Sequence, residues 1–216
     1  MALTQTQVSK LYVAIFNRAS EGEGNLFWQG FDDMAAVADE MLATDDALAY
    51  FGESLDSDQA FIEHIYLNTL NKTVEDDEEG IAFWVGQLAD GATRGEVVAT
   101  LVEVIDSYGP DGDNYDAEDD VTNAAYNQFM NRVEVSNYMA DTVEDTPEDY
   151  AVVTSFGPDG LNVTDDDASV LAAKQAVDGL VVPPVVPDET FTLTDGQDIL
   201  TGTDGDDVFN APIMQS

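Results

Sequence analysis

The spacing of apolar residues predicts helices through roughly the first 180 positions. Val8, Leu11, Tyr12, Ile15 and Phe16 recur at the i, i+3, i+4, i+7, i+8 intervals that place them on one helical face. Phe27, Trp28, Phe31, Met34, Val37, Ala38, Met41 and Leu42 form a second, longer stripe, and Phe61, Ile62, Ile65, Tyr66, Thr69 and Leu70 a third. "TRGEVVATLVEVI" opens with Thr93 and Glu96 at capping-box spacing before its apolar run. A further helix is expected over about 118–140. "TPEDY" offers Thr146 as an N-cap with Pro147 at the first helical position, and 165–180 repeats that logic. "VVPPVVPDE" then breaks the pattern, and its prolines predict a stiff, extended linker over 181–190.

Two internal repeats lie within the helical part. "LYVAIFNR…GNLFW" at 11–28 returns as "IYLNTLNK…GIAFW" at 65–84, pairing Tyr12 with Tyr66, Arg18 with Lys72, Gly24 with Gly80 and Trp28 with Trp84. The second copy is two residues longer in its acidic loop. "SYGPDG" at 107–112 returns as "SFGPDG" at 155–160, each followed by an acidic cluster and a predicted helix.

Beyond the linker, "LTDGQDILT" (193–201) and "GTDGDDVFN" (202–210) stack in register. Gly196 matches Gly205, Asp198 matches Asp207, and Leu200 matches Phe209. The pattern approaches the calcium-binding nonamer of parallel β-rolls, although Leu193, Thr194 and Thr203 stand where it has glycine. Glycines let the backbone turn carbonyls toward an ion, the aspartate adds a hard oxygen, and the apolar residue packs inside the coil. Two nonamers are too few for a stable stack, so the roll is expected to continue beyond Ser216. The bland alternative is an acidic, disordered tail.

Charge changes the picture of partners. The 216 residues carry 45 acidic and 6 basic side chains, a formal net charge of −39. That balance argues against nucleic acid, which needs a basic face, and against an anionic membrane unless divalent cations bridge the surfaces. Self-repulsion makes a salty or calcium-rich setting the expected one. With 44% hydrophobic residues the chain can still bury a core, and the absence of cysteine removes disulfide and thiol chemistry. No apolar run reaches the length of a membrane span, and the first residues lack the basic region and cleavage site of a secretory signal.

Candidate chemistry is sparse. Asp111, Asp113 and Asp116 in "GPDGDNYDAEDD" alternate as calcium-loop ligands do, but the full EF-hand spacing is missing. An ordinary Gly-Pro-Asp-Gly turn leading into an N-capped helix explains the same residues. Trp28 and Trp84, with Tyr108 and Tyr115, are candidates for stacking on sugar rings, against a core role for the two tryptophans. His64 stands alone, without a second imidazole or motif that would make a transition-metal site. No nucleophile elbow, zinc motif, Walker loop or dinucleotide fingerprint is present, so no enzymatic activity is expected.

The phrase LY-x-x-x-F/L-N-R/K, an acidic turn and G-x-x-F-W resembles a tandem family of helical repeats of unannotated function, found in bacterial surface-layer proteins and large secreted adhesins. That family's turn reads R-x-P-D-x-x-G-x-x-x-W; "RASEGEGNLFW" has Ser20 at its proline and Glu21 at its aspartate, and Asp77 takes the acidic place in the second copy. "NRVEVSNYMA" (131–140) and "DDDASVLAAKQAV" (165–177) look like stretches that follow such repeats. "FTLTDGQDILTGTDGDDVFNA" (191–211) is similar to the junction at which the N-terminal regions of Gram-negative surface-layer proteins enter a calcium β-roll. The resemblance implies type I secretion through an uncleaved C-terminal signal, an extracellular location, and a structural protein anchored through Ca²⁺ to lipopolysaccharide O-antigen and self-associating into a two-dimensional lattice.

The expected architecture is mainly α. A multi-helix bundle of repeated helical units (1–180) precedes the Pro-rich linker (181–190) and the start of a calcium-binding parallel β-roll (191–216). A calcium-binding adhesin that forms no lattice, and a secreted hydrolase with its catalytic domain beyond Ser216, are the alternatives from other functional classes.

Overall fold

The computed structural model describes residues 1–144, 154–157 and 159–180, together with the backbone of 190–192 and 208–210. Thr146, Pro147, the linker and the nonamer residues Gly196, Asp198, Gly205 and Asp207 lie outside the described residues. Contacts divide the chain into two units, Met1–Leu180 and Val181–Ser216.

The described part of the first unit is mainly helical. In chain order the helices are α1 (Gln5–Phe16), α2 (Gly22–Gln29), α3 (Met34–Leu42), α4 (Asp45–Phe51), a 3-10 turn (Gly52–Leu55), α5 (Asp58–Leu70), α6 (Glu78–Ala89), α7 (Arg94–Ser107), α8 (Asp120–Thr142) and α9 (Asp167–Asp178). Most begin on a side-chain cap. Thr4 and Thr93 form reciprocal capping boxes with Gln7 and Glu96. Thr44, Ser57, Asp77, Asp119 and Asp166 each accept a hydrogen bond from a first-turn backbone N–H.

The centre is α1. Val8 and the unbroken run Leu11–Ile15 are all buried, so this helix is covered on every side rather than along one stripe. It packs against α2, α3, α4, α5, α7 and α8. Even Lys10 is drawn in, its ammonium bound to the Asp106 carboxylate at 2.5 Å on α7. Helices α3 and α7 pack tightly together. A side chain on Gly95 would run into the Ala35 carbonyl, and its bare backbone N–H instead donates to Asp39 Oδ1 at 2.7 Å.

The apolar stripe of 27–42 is divided between two helices. Gly30 closes α2, and Asp33 restarts the chain by accepting from Ala35 and Ala36 N–H. Val37, Ala38, Met41 and Leu42 reach the core, whereas Phe27 and Phe31 stay exposed. The four polar or glycine positions around the break outweigh the periodicity. The short α4 follows α3 almost without pause, because Thr44 caps it directly.

One buried node joins five segments. Both α1 and α5 end on an asparagine in the left-handed conformation, Asn17 (φ 47°) and Asn71 (φ 53°), at equivalent places in the sequence repeat. Asn68, in the last turn of α5, donates to the Ala14 and Ile15 carbonyls at the end of α1. Arg132 of α8 donates to Asn68 O at 2.9 Å and Asn17 Oδ1 at 3.2 Å. Tyr50 of α4 donates to Asn68 Oδ1 at 2.9 Å, and Phe156 exchanges hydrogen bonds with Asn17. Arg132 is buried, and that burial lowers its pKa to about 10, still far above neutrality.

In the second unit, β1 (Thr190–Thr192) and β2 (Val208–Asn210) pair in parallel. Thr190 is opposite Val208, Phe191 opposite Phe209 and Thr192 opposite Asn210, an offset of eighteen positions.

Two measurements test this account. Arg132→Met removes two charge-assisted hydrogen bonds, and urea unfolding should show a loss of about 2–4 kcal/mol, after allowing for the relieved desolvation of the charge. A neutral result would mean that the node does not hold the helices together. His64 is packed against Phe51 and Tyr50 with Nδ1 3.2 Å from Ser54 Oγ, and burial holds its pKa below 6.5. The unfolded chain therefore takes the proton first on acidification. His64's contribution is complete above about pH 6.5 and is lost as pH falls toward its folded value. His64→Phe should flatten the fall in stability as pH drops below about 6.5.

Candidate functional site

The repeated hairpin builds the same local arrangement twice. In the first copy the Tyr12 hydroxyl donates to Glu21 Oε1 at 3.3 Å, directly over Gly24. In the second, Asp77 caps α6 by accepting from Gly80 N–H at 2.9 Å, and the Tyr66 hydroxyl lies over Gly80. A Cβ at Gly24 would stand 2.5 Å from the Tyr12 hydroxyl, and one at Gly80 2.6 Å from that of Tyr66. Each glycine leaves room for the acidic side chain at the helix start and for the phenol beside it, both of which lie where a Cβ would stand. The neighbouring indoles of Trp28 and Trp84 favour the phenolate. Burial, followed by the adjacent carboxylate, prevails and raises both tyrosines, Tyr66 to about 12. Neither phenol ionises near neutral pH.

The second copy opens into a pocket of about 150 Å³. Tyr66, Lys72, Asp77 and Trp84 come from the hairpin, and Tyr108 and Tyr126 from the ends of α7 and α8. Burial raises the pKa of Tyr126, with help from the charges of Asp106 and Asp111. Among the described residues Lys72 forms no ion pair, whereas Lys10, Arg18, Arg94 and Lys174 each do.

A second hollow, a groove of about 530 Å³, lies between α2 and the end of α8. Gln5 and Gln29 supply carboxamides, Glu23, Asp141 and Glu144 carboxylates, and Leu26 an apolar side chain that is 69% exposed. Gln5 Nε2 donates to Asn137 O and Asp141 Oδ1. Beneath it, Asn25 joins Ser9, Ser20 and Ser136 in a buried hydrogen-bonded set, and Gln29 donates to Asn25 Oδ1 at 2.8 Å. Beside Leu26, Phe27 and Phe31 form an exposed aromatic pair with ring centres 5.6 Å apart.

The structure distributes the sequence candidates unevenly. Trp84 and Tyr108 meet in the pocket, Trp84 almost fully buried and Tyr108 37% exposed. Trp28 is half-buried in the first copy, and exposed Tyr115 lies outside both hollows. Asp111, Asp113 and Asp116 are all exposed. The loop is shaped by Gly112 N–H donating to Gly109 O and Asn114 N–H to Ser107 O, and Asp116 Oδ1 accepts from Glu118 N–H. Its carboxylates do not converge, and no cluster of three or more metal-type side chains occurs among the described residues. Among those residues, too, no helix is long and apolar enough to cross a membrane.

Residues not named as site candidates from the sequence are Asp77 and Tyr126 in the pocket, and Gln5, Gln29 and Leu26 in the groove. Only Asp77 carried a signal, through its place in the repeat.

Residues 38–106 match the sequence model of a domain of unknown function, DUF4214. The matched stretch covers less than half of the chain and contains the second copy of the hairpin with most of its pocket. No curated protein and no solved structure matches the chain.

The two glycines of α6 should behave oppositely. Gly86 has open space where a Cβ would be, so Gly86→Ala should raise stability by up to about 1 kcal/mol. Gly80→Ala must displace the Tyr66 phenol and should lower it by about 1–3 kcal/mol. Equal gains in thermal or urea unfolding would show that the phenol does not constrain the turn.

Proposed function

We propose that this chain is a non-enzymatic, extracellular, calcium-dependent structural protein, whose helical unit anchors a surface layer to cell-surface polysaccharide. The groove between α2 and the end of α8 carries this reading. Polysaccharides present hydroxyls and apolar ring faces, and the groove offers carboxamides and carboxylates beside Leu26 and Phe27. A cation bound jointly by carboxylates and sugar oxygens offsets the repulsion between an acidic protein and an anionic cell surface. Such an ion needs no complete cage on the protein alone.

The second unit supports the calcium part of the reading. Strands offset by eighteen residues correspond to two nonamers, the length of one full coil of a β-roll. In that arrangement Asp198 and Asp207, with the backbone of Gly196 and Gly205, supply ion ligands. Type I secretion, lattice formation and O-antigen as the specific polysaccharide follow from the resemblance of the repeats and nonamers to surface-layer proteins.

Retention of the purified protein on cells with and without O-antigen, in calcium and after chelation, tests the proposal. Retention should require both O-antigen and calcium. Leu26→Asp, at a solvent-facing position, should weaken it about tenfold, a loss of roughly 1.4 kcal/mol, with the helical circular dichroism unchanged. Equal retention on both kinds of cell would refute anchoring.

A further inference from the structure

Among the differences between the two hairpins, three fall at one site and share a direction. Where the first copy has Phe16, Arg18 and Glu21, the second has Leu70, Lys72 and Asp77. Phenylalanine becomes leucine, arginine becomes lysine, and glutamate becomes aspartate. Each change removes volume or reach from the same site.

In the first copy that site is closed by its own chain. The Arg18 guanidinium lies 5.4 Å from the centre of the Tyr12 ring and 5.8 Å from that of Phe16. It reaches the Glu21 carboxylate at 3.4 Å, and both side chains are largely buried. A planar cation thus rests between aromatic faces and a carboxylate, an arrangement that suits guanidinium better than ammonium. In the second copy the receptor half remains, as Tyr66, Asp77 and Trp84. Lys72 does not replace the missing filler, since among the described residues it stacks on no ring and pairs with no carboxylate. The pocket of about 150 Å³ is the space left behind.

Charge decides what enters. Asp77 forms part of the wall, Asp106 and Asp111 act on Tyr126, and Asp76 and Asp119 lie near Lys72. With Asp106 already paired to Lys10, four further carboxylates oppose the one ammonium of Lys72, which disfavours an anion. The lack of a metal-type cluster among the described residues disfavours a bare metal ion. An organic cation remains, and the first copy displays one in the equivalent place.

We propose that the pocket of the second hairpin binds a guanidinium-bearing cation, free or as the arginine side chain of a polypeptide, in the position that Arg18 occupies in the first. Asp77 Oδ1 is engaged by Gly80 N–H, which leaves Oδ2 to accept from the ligand. Tyr66, Tyr108 and Trp84 supply the aromatic surround. The pocket is separate from the α2–α8 groove, so loss of polysaccharide retention and loss of cation binding are distinguishable.

The test follows the two indole N–H resonances by NMR in calcium-containing buffer at about 0.15 M salt, which screens diffuse attraction to the acidic surface. Trp84→Phe assigns the peaks. The probes are Nα-acetylarginine amide, its lysine and citrulline counterparts, glucuronate, and a Gly-Gly-Arg-Gly-Gly peptide. The arginine probe should move the Trp84 resonance saturably while leaving that of Trp28 in place. The lysine probe should bind about tenfold more weakly, and the citrulline probe not at all. Tighter binding of the peptide than of the free probe points to a polypeptide source, and the reverse to a small molecule. Leu70→Phe with Lys72→Arg restores the two bulkier fillers of the first copy and should abolish binding. Asp77→Asn, which keeps a competent helix cap, should weaken binding at least about tenfold even if the double variant is unstable. Equal, unsaturating shifts with arginine and lysine, or saturable binding of glucuronate, would overturn the proposal.

Discussion

Arg132 places a full positive charge among the buried ends of two helices, and the packing of the helical unit converges on it. It is the one charged residue classed as buried among those described, in a chain of net charge −39, yet its partners are neutral. It donates to a backbone carbonyl in the last turn of α5 and to the carboxamide that terminates α1. Helix C-termini carry partial negative charge and unpaired carbonyls, so two of them together serve where a carboxylate would otherwise be needed. Asn68 adds to this by capping the end of α1 with its own amide. The central helix is therefore held at its C-terminus by α5 and α8, while Lys10 fixes its middle to α7.

Around that node one hairpin is used twice, with different outcomes. Both copies keep the left-handed asparagine, the acidic start of the second helix, the glycine under a phenol and the tryptophan behind it. The first copy closes on Arg18 and adds a buried set of hydroxyls and a carboxamide. The second stays open. Duplication keeps these elements, while smaller side chains and an acidic loop two residues longer separate the hollow site from the packed one.

Much of the helical pattern was legible, because caps and periodicity act locally. Thr93 with Glu96 marked the start of α7, and the spacing of Val8 to Phe16 marked α1. The division of the stripe between Phe27 and Leu42 was obscured because apolar residues keep helical intervals across a break made by Gly30 and Asp33. Arg132 lies in "NRVEVSNY", where no sequence signal sets it apart; only the convergence of two distant helix ends identifies it. Tyr108 and Trp84 were each noticed as isolated aromatics. Their meeting depends on α7 and α8 packing beside α5 and α6, and the pocket itself arises from atoms that are missing relative to the first copy, which no motif encodes.

The buried polar set around Asn25 has a consequence for how a chain with two near-identical hairpins avoids confusing them. Ile81 stands at the corresponding place in the second copy, and Glu63 at that of Ser9. Docking the second hairpin where the first belongs would leave the Ser136 hydroxyl without its Ser20 partner and bring Glu63 into the interior, whereas the opposite exchange would press an amide into an apolar seat. Each error carries the cost of a dry, unmatched polar group. The few hydroxyls under the groove thus act as an address, assigning each duplicate to its own berth while the chain assembles.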